Sequence, residues 1–215
     1  MSEHLIPLGR RERAKEDKRR RIMAAAGELF TEHGVTGVTT QQIADRADVA
    51  IGTLFLYAST KAEMLIMVQN EKFAAAIDDG LAAAEAAERS DATTRDAVLA
   101  LVGPVVACIR EQPENGRTYL HELVFGDPTE PHRREGLALS VRLEDGLVRT
   151  LTHDSALTSA DAVTLARVIT AIIHISTTAT IYLHRTTGEV LDDIRLQISA
   201  VLPRRPFAAS TMATA

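Results

Sequence analysis

Residues 39–65 read TTQQIADRADVAIGTLFLYASTKAEML, and this stretch decides the fold. Thr39 stands where a helix N-cap belongs, and Gln42 three residues on completes a capping box. Ile43, Ala44 and Ala47 then give a short helix one apolar face. A turn at Asp48–Ala50 leads to a second short helix, expected over Ile51–Tyr57. Thr60 and Glu63 repeat the capping pattern, so a long helix is expected from Lys61, running on through Leu65, Val68, Phe73, Ile77 and Leu81. Upstream, Ile22, Ala25, Ala26, Leu29 and Phe30 recur at helical spacing and predict a helix over 18–33, stopped by Gly34. Two short helices joined by a tight turn and braced by a third form a helix-turn-helix, whose second helix enters the DNA major groove.

The spacing resembles the signature of the TetR family of bacterial transcriptional regulators. Thr39, Thr40, Ile43, Ala44, Val49, Gly52, Thr53, Leu54, Lys61 and Leu65 carry the match, with Phe30 and Gly34 in the helix before it. Asp48 stands where the family has a turn glycine, Ala50 where a serine caps the recognition helix, Phe55 where a tyrosine is usual, and Ala58 where a later phenylalanine is usual. Losing the serine cap costs about 1 kcal/mol unless something compensates. Leu54 and Phe55 are expected to pack the recognition helix onto the first helix. Tyr57 and Lys61 are expected to hold phosphates, with Thr39 and Thr40 beside them. Base reading is expected from Gln41, Gln42, Ala50, Ile51, Gly52 and Thr53, since glutamine can pair with adenine and small apolar side chains can touch thymine methyls.

Charge supports one DNA-facing end. The chain of 215 residues has a net charge of −5. Residues 1–21 nevertheless hold eight Lys or Arg against four acids, a balance of +4, whereas residues 66–215 hold fourteen against twenty, a balance of −6. A basic end on an acidic body meets a polyanion at that end only. The expected organisation is a basic arm over 1–17, the helix-turn-helix domain over 18–65, a helical ligand-binding and dimerisation domain over 66–203, and a disordered tail over 204–215. The fold class is all-α: glycine and proline are sparse, alanine and leucine common, and no segment alternates as a strand.

Beyond residue 90 the expected helices are 93–111, interrupted by Gly103-Pro104; 115–125; one from Pro131 to about 152; 159–184; and 188–202. The 159–184 segment is apolar on nearly all faces, so it should be buried against its own core and a partner subunit. Val168 and Ile172, with Ile194 and Ile198 of the last helix, are the candidate dimer residues. Its length approaches a membrane span, but Arg167, His174 and the threonines favour a soluble core helix. Polar groups in apolar helices are the candidate ligand contacts: Cys108, Tyr119, His121, His174, Thr178 and Tyr182. The proline kink should leave space near Cys108.

One cysteine excludes an intramolecular disulfide and a cysteine metal cluster. There is no P-loop, HExxH or GxGxxG, and His153-Asp154-Ser155 are chain neighbours that cannot take triad geometry. No cofactor, metal or catalytic role is expected. The resemblance implies a cytoplasmic homodimer, with no membrane partner, that represses from a palindromic double-stranded DNA operator and is released by a small-molecule effector. The alternative is a helical small-molecule-binding protein or enzyme in which DNA binding is secondary or absent.

Overall fold

The computed structural model describes residues 9–202, and its regular structure is entirely helical there. In chain order the helices are α1 (Arg10–His33), α2 (Thr40–Arg46), α3 (Ile51–Leu54), α4 (Lys61–Arg89), α5 (Thr94–Arg110), α6 (Pro113–Phe125), α7 (Pro131–Thr152), α8 (Ser159–Thr178) and α9 (Thr187–Val201). A short 3-10 turn, Thr180–Tyr182, joins the last two. The expected tail over 204–215 and the first eight residues of the expected arm lie outside the described residues.

Local chemistry explains the boundaries. Thr39–Gln42, Thr93–Asp96, Thr158–Asp161 and Thr186–Glu189 each form a reciprocal capping box. Pro113 and Pro131 occupy first helical positions, where the missing N–H costs nothing. At α4 the Thr60 hydroxyl accepts the Glu63 N–H, but the Glu63 carboxylate reaches back to Ser59 rather than closing the box.

Three elements depart from expectation. First, α1 begins at Arg10, so residues 10–17 are helix rather than arm. No breaker separates Gly9 from Gly34, and Arg19–Glu16 and Arg20–Asp17 pair one turn apart. Second, α3 ends at Leu54 and the chain turns through Phe55–Tyr57. Third, α8 stops at Thr178 instead of running to 184. Thr177 and Thr178 turn their hydroxyls onto the carbonyls of Ile173 (2.7 Å) and His174 (2.6 Å), while Arg117 Nε takes the Thr178 carbonyl (2.8 Å). Threonines that bond back along a helix weaken its continuation.

Two apolar cores form, and α4 belongs to both. Met64, Leu65, Met67 and Val68 pack with Ile22, Leu29, Phe30, Ile43 and Leu54 in the first core. Ile66, Phe73, Ile77 and Ala84 pack with Val98, Leu101, Val105, Tyr119 and Leu147 in the second. The domain boundary expected at 65/66 therefore falls inside one continuous helix. Gly80 lets α5 approach α4 closely: a Cβ there would stand 2.4 Å from the Leu101 carbonyl oxygen.

The candidate dimer residues divide. Val168 is exposed and Ile172 half-buried, but Ile194 and Ile198 are buried in their own subunit's core. The single apolar face of α9 (Val190, Ile194, Ile198) is consumed by packing within the chain. Val163, Val168 and Ile175 of α8 and Leu196 and Val201 of α9 are the large apolar residues left outside.

The turn before α3 holds Asp48 at φ 52°, in the left-handed region. Arg21 offsets this by donating from Nη1 to the carbonyls of Ala47 (3.0 Å) and Asp48 (3.3 Å), beside the Asp48 carboxylate (3.4 Å). Left-handed backbone costs a residue with a Cβ about 1–2 kcal/mol. Asp48→Gly keeps both carbonyl acceptors and removes the Cβ. It should stabilise the protein by about 1 kcal/mol, raising the melting temperature by about 2–4 °C. A fall in melting temperature would show that the carboxylate's pairing with Arg21 outweighs the strain.

Candidate nucleic-acid interface and ligand cavity

The recognition element is one turn of helix held by one buried side chain. Leu54 is fully buried, with Val49 and Tyr57 packed at the edge of the same core. Phe55, expected to pack beside Leu54, is instead 45% exposed, and Leu56 is 83% exposed. Neighbours on a helix point about a quarter-turn apart, so a one-turn helix can bury one of them and not the next. Ala50 begins α3 without a side-chain cap.

The candidate DNA residues differ in what their side chains already do. Thr39 and Gln42 are engaged with each other in the cap of α2. Gln41 donates to Asp45 (2.7 Å) on the exposed face, and Thr40 is half-buried. Lys61 gives one of its three protons to the Val38 carbonyl (2.9 Å). The Tyr57 hydroxyl donates to the Lys15 carbonyl (3.0 Å), tying the end of the recognition element to the second turn of α1. Ala50, Ile51 and Gly52 are exposed and Thr53 half-buried. Beside them, α1 presents Arg10, Arg11, Lys15 and Lys18 to solvent.

The second core grips this domain at two points. At one, the start of α6 meets the end of α1. The Asn115 side chain donates to the Phe30 carbonyl (2.7 Å) and accepts the Val35 N–H (2.8 Å), while Glu114 accepts the Thr36 N–H (2.9 Å). Gly34, at φ 69°, leaves room for this: a Cβ there would lie 2.2 Å from the Glu114 carboxylate. At the other, the start of α7 meets the loop after α3. His132 Nε2 lies 3.1 Å from the Tyr57 carbonyl, and Ser59 Oγ donates to Glu63 (2.8 Å) and Glu130 (3.3 Å). Behind His132, buried Asn70 donates to the His132 carbonyl (2.8 Å) and accepts the Tyr119 hydroxyl (2.9 Å). The Tyr119 ring meets Phe73 edge-on at 5.6 Å.

Phe73 is also a cavity wall. An apolar chamber of about 280 Å³ lies between α4, α5, α6, α7 and α8, walled by Phe73, Val105, Leu123, Leu137, Leu143 and His174, among others. On the other side of His174 a polar cleft of about 370 Å³ opens between α6 and α8. His121, His174 and Thr178 line this cleft, joined by Arg117, Thr118 and Phe125. Burial holds the His174 imidazolium below its usual pKa, favouring the neutral ring.

Three ligand candidates lie elsewhere. Tyr119 is buried against Asn70 and lines neither space, and burial raises its phenol far above the usual range. Cys108 lines neither space despite preceding Ile109, which walls the chamber; burial, with nearby Glu111, pushes its thiol up to about 11. Tyr182 lies under the Arg185 guanidinium at 5.0 Å. Sequence reasoning missed Arg117, Asn70, Asn115 and His132. Each is an ordinary polar residue in a helical pattern, singled out only by partners 49 to 85 residues away in the chain.

Residues 22–68 match the family model described as bacterial regulatory proteins of the tetR family. The HTH-type transcriptional repressor KstR of Mycobacterium tuberculosis is 35% identical over 60 residues, covering 28% of this chain and 27% of that protein. KstR of Mycolicibacterium smegmatis is 27% identical over 124 residues, covering 53% and 54%. The chain thus spans between about a quarter and a half of the length of these curated relatives. Among solved structures, Thermus thermophilus FadR, a TetR-family transcriptional repressor in complex with lauroyl-CoA, superposes with a TM-score of 0.64 at 21% identity, over 88% of this chain and 98% of that one. AibR in complex with isovaleryl coenzyme A and operator DNA gives 0.56 at 15% identity, over 84% and 97%. At these identities the structural likeness speaks for the fold. From its helix-turn-helix to its helical C-terminal domain, this chain is built as a TetR-family regulator.

Proposed function

We propose that this protein is a cytoplasmic transcriptional repressor, a homodimer that binds a palindromic DNA operator and releases it when a small molecule enters the chamber. It acts by binding, not by catalysis. One observation carries the reading: the helices that wall the chamber are hydrogen-bonded to the backbone on either side of the recognition unit. Asn115 and Glu114 of α6 hold residues 30–36, and His132 of α7 meets Tyr57. Leu123 of α6 and Leu137 of α7 wall the chamber. A ligand that pushes α6 and α7 apart therefore displaces the recognition elements. Such a ligand opposes DNA in proportion to its preference for the displaced state. The neighbours bound to acyl-coenzyme A and to operator DNA support the same division of labour.

Ala50, Ile51, Gly52, Thr53 and Gln41 form the base-facing edge, while Lys61, Tyr57, Thr40 and the basic face of α1 lie along the phosphates. Thr39 and Gln42 shape the element through their cap. In place of a flexible arm over 10–17, α1 offers a rigid basic helix anchored by Tyr57. The subunits meet through the outer faces of α8 and α9, with Val168, Ile175 and Leu196 at the contact. Ile172 lies at its edge.

Selection of full-length protein on a randomised duplex pool should enrich a palindrome, with half-sites a helical turn or its multiple apart. Lys18→Ala and Lys61→Ala should each weaken binding to all sequences alike and reduce the salt slope by about 1. Gln41→Ala should instead change which bases are enriched. A pool that yields no preferred sequence would refute the repressor reading.

Sedimentation should find the Val168→Asp, Leu196→Asp double variant monomeric with its helical circular dichroism retained. Ile194→Asp should fail to fold, because it places an unpaired charge in the subunit core. A double variant that still sediments as a dimer would move the interface elsewhere.

Tyr119→Phe keeps the ring against Phe73 but leaves the buried Asn70 oxygen without its donor, a loss of about 1–3 kcal/mol. Its operator affinity should stay within about twofold of wild type, while the effector-induced loss of affinity shrinks. An unchanged effector response would remove Asn70 from the coupling.

A further inference from the structure

We infer that the ligand is an amphipathic anion, with a compact apolar body in the chamber and an anionic head in the adjoining cleft on Arg117. This deepens the effector reading above and rests on it. His174 is common to both spaces, so they lie on two sides of one imidazole and a single molecule can reach past it from one to the other.

The chamber cannot hold a charge. Apart from His174, its polar side chains are Ser140 and Thr170, and both hydroxyls already donate along their own helices, to the carbonyls of Gly136 (3.1 Å) and Ala166 (3.0 Å). An ion placed there would be buried without a partner. Its volume of about 280 Å³ falls at the small end of ligand pockets, typically ~300–1,000 Å³, so the body is compact.

The cleft has the opposite chemistry. Arg117 is locked before any ligand arrives, since Nε donates to the Thr178 carbonyl (2.8 Å) and Nη2 lies 3.5 Å from the Thr180 hydroxyl. A guanidinium fixed in this way suits the planar, charge-assisted recognition of carboxylates and phosphates. Thr118, Thr178 and His121 stand around it as further polar contacts. Glu114 is the acid on the cleft wall, and its carboxylate is turned onto the Thr36 N–H and the space above Gly34. His174, favoured as the neutral ring, offers one donor and one acceptor where body and head join. The positive charge for the head therefore comes from Arg117. At about 370 Å³ the cleft is larger than the chamber, which leaves room for heads bigger than a carboxylate.

Titration calorimetry on the full chain with octanoate, octanoyl-coenzyme A and methyl octanoate tests this, because the three share a body and differ in the head. At least one anion should bind about tenfold or more tighter than the neutral ester, and which of them does so tells a carboxylate site from a phosphate-bearing one. Arg117→Met should reduce that anion to the ester's level while leaving the ester's own affinity and the helical circular dichroism unchanged. Arg117→Lys should restore part of the difference. The wild-type comparison needs no variant, so the test stands even if Arg117→Met fails to fold. An ester that binds as tightly as both anions, or an absence of binding by all three, overturns the inference. Adding the selected operator separates the two readings. Arg117-dependent anion binding that leaves DNA affinity untouched would sink the regulatory reading and keep the site. Release of DNA by the ester but by neither anion would sink the site and keep the regulator.

Discussion

The structure depends on α4 being one unbroken helix in two cores. Its first turns bury Met64, Leu65, Met67 and Val68 against the helix-turn-helix, and its later turns bury Phe73, Ile77 and Ala84 against α5 and α7. Ile66 already faces the second core while its neighbours face the first. A rotation or tilt of α4 therefore cannot be confined to one domain. Close-packed cores pass such displacements on, because neither can accommodate them by leaving voids.

The turn between α6 and α7 adds a second constraint. Arg133 is buried there and donates to the carbonyls of Glu122 (2.7 Å) and Asp127 (2.7 Å), with its fork also on the carboxylates of Glu122 and Glu130. Removing one member of such a buried set is costly because the others are left charged and unpaired. The turn thus keeps α6 and α7 in register as a unit. One end of that unit holds the close of α1 through Asn115, and the other meets the loop after α3 through His132. Ligand chamber and recognition element are consequently two faces of the same pair of helices.

The departures from the family signature have local physical answers. Asp48 takes the left-handed turn position of a glycine because Arg21 gathers the surrounding carbonyls. Ala50 leaves α3 uncapped, and α3 is accordingly a single turn that persists through Leu54 and the turns that follow it. Helices this short owe their existence to tertiary packing. Phe55 and Leu56 are left outside, where the outer edge of the recognition element lies.

The sequence by itself determined what is local. Capping boxes, first-turn prolines, the glycine stop at Gly34 and the apolar period placed most helices and located the helix-turn-helix, because each of those signals acts within a few residues. The cleft residues His121, His174 and Thr178 were also legible, as polar groups in apolar helices. Only the tertiary structure decided what depends on distant partners. Ile194 and Ile198 looked like interface residues, since periodicity finds an apolar face but does not say which surface covers it; here α9 turns that face into its own core. Tyr119 looked like a ligand contact until Asn70, 49 residues away, took its hydroxyl. Arg117 looked like a solvated surface charge until the carbonyl of Thr178 fixed it over the cleft, 61 residues on. A polar side chain's role is set by the group it meets, and that meeting is made by the fold rather than by the chain's local pattern.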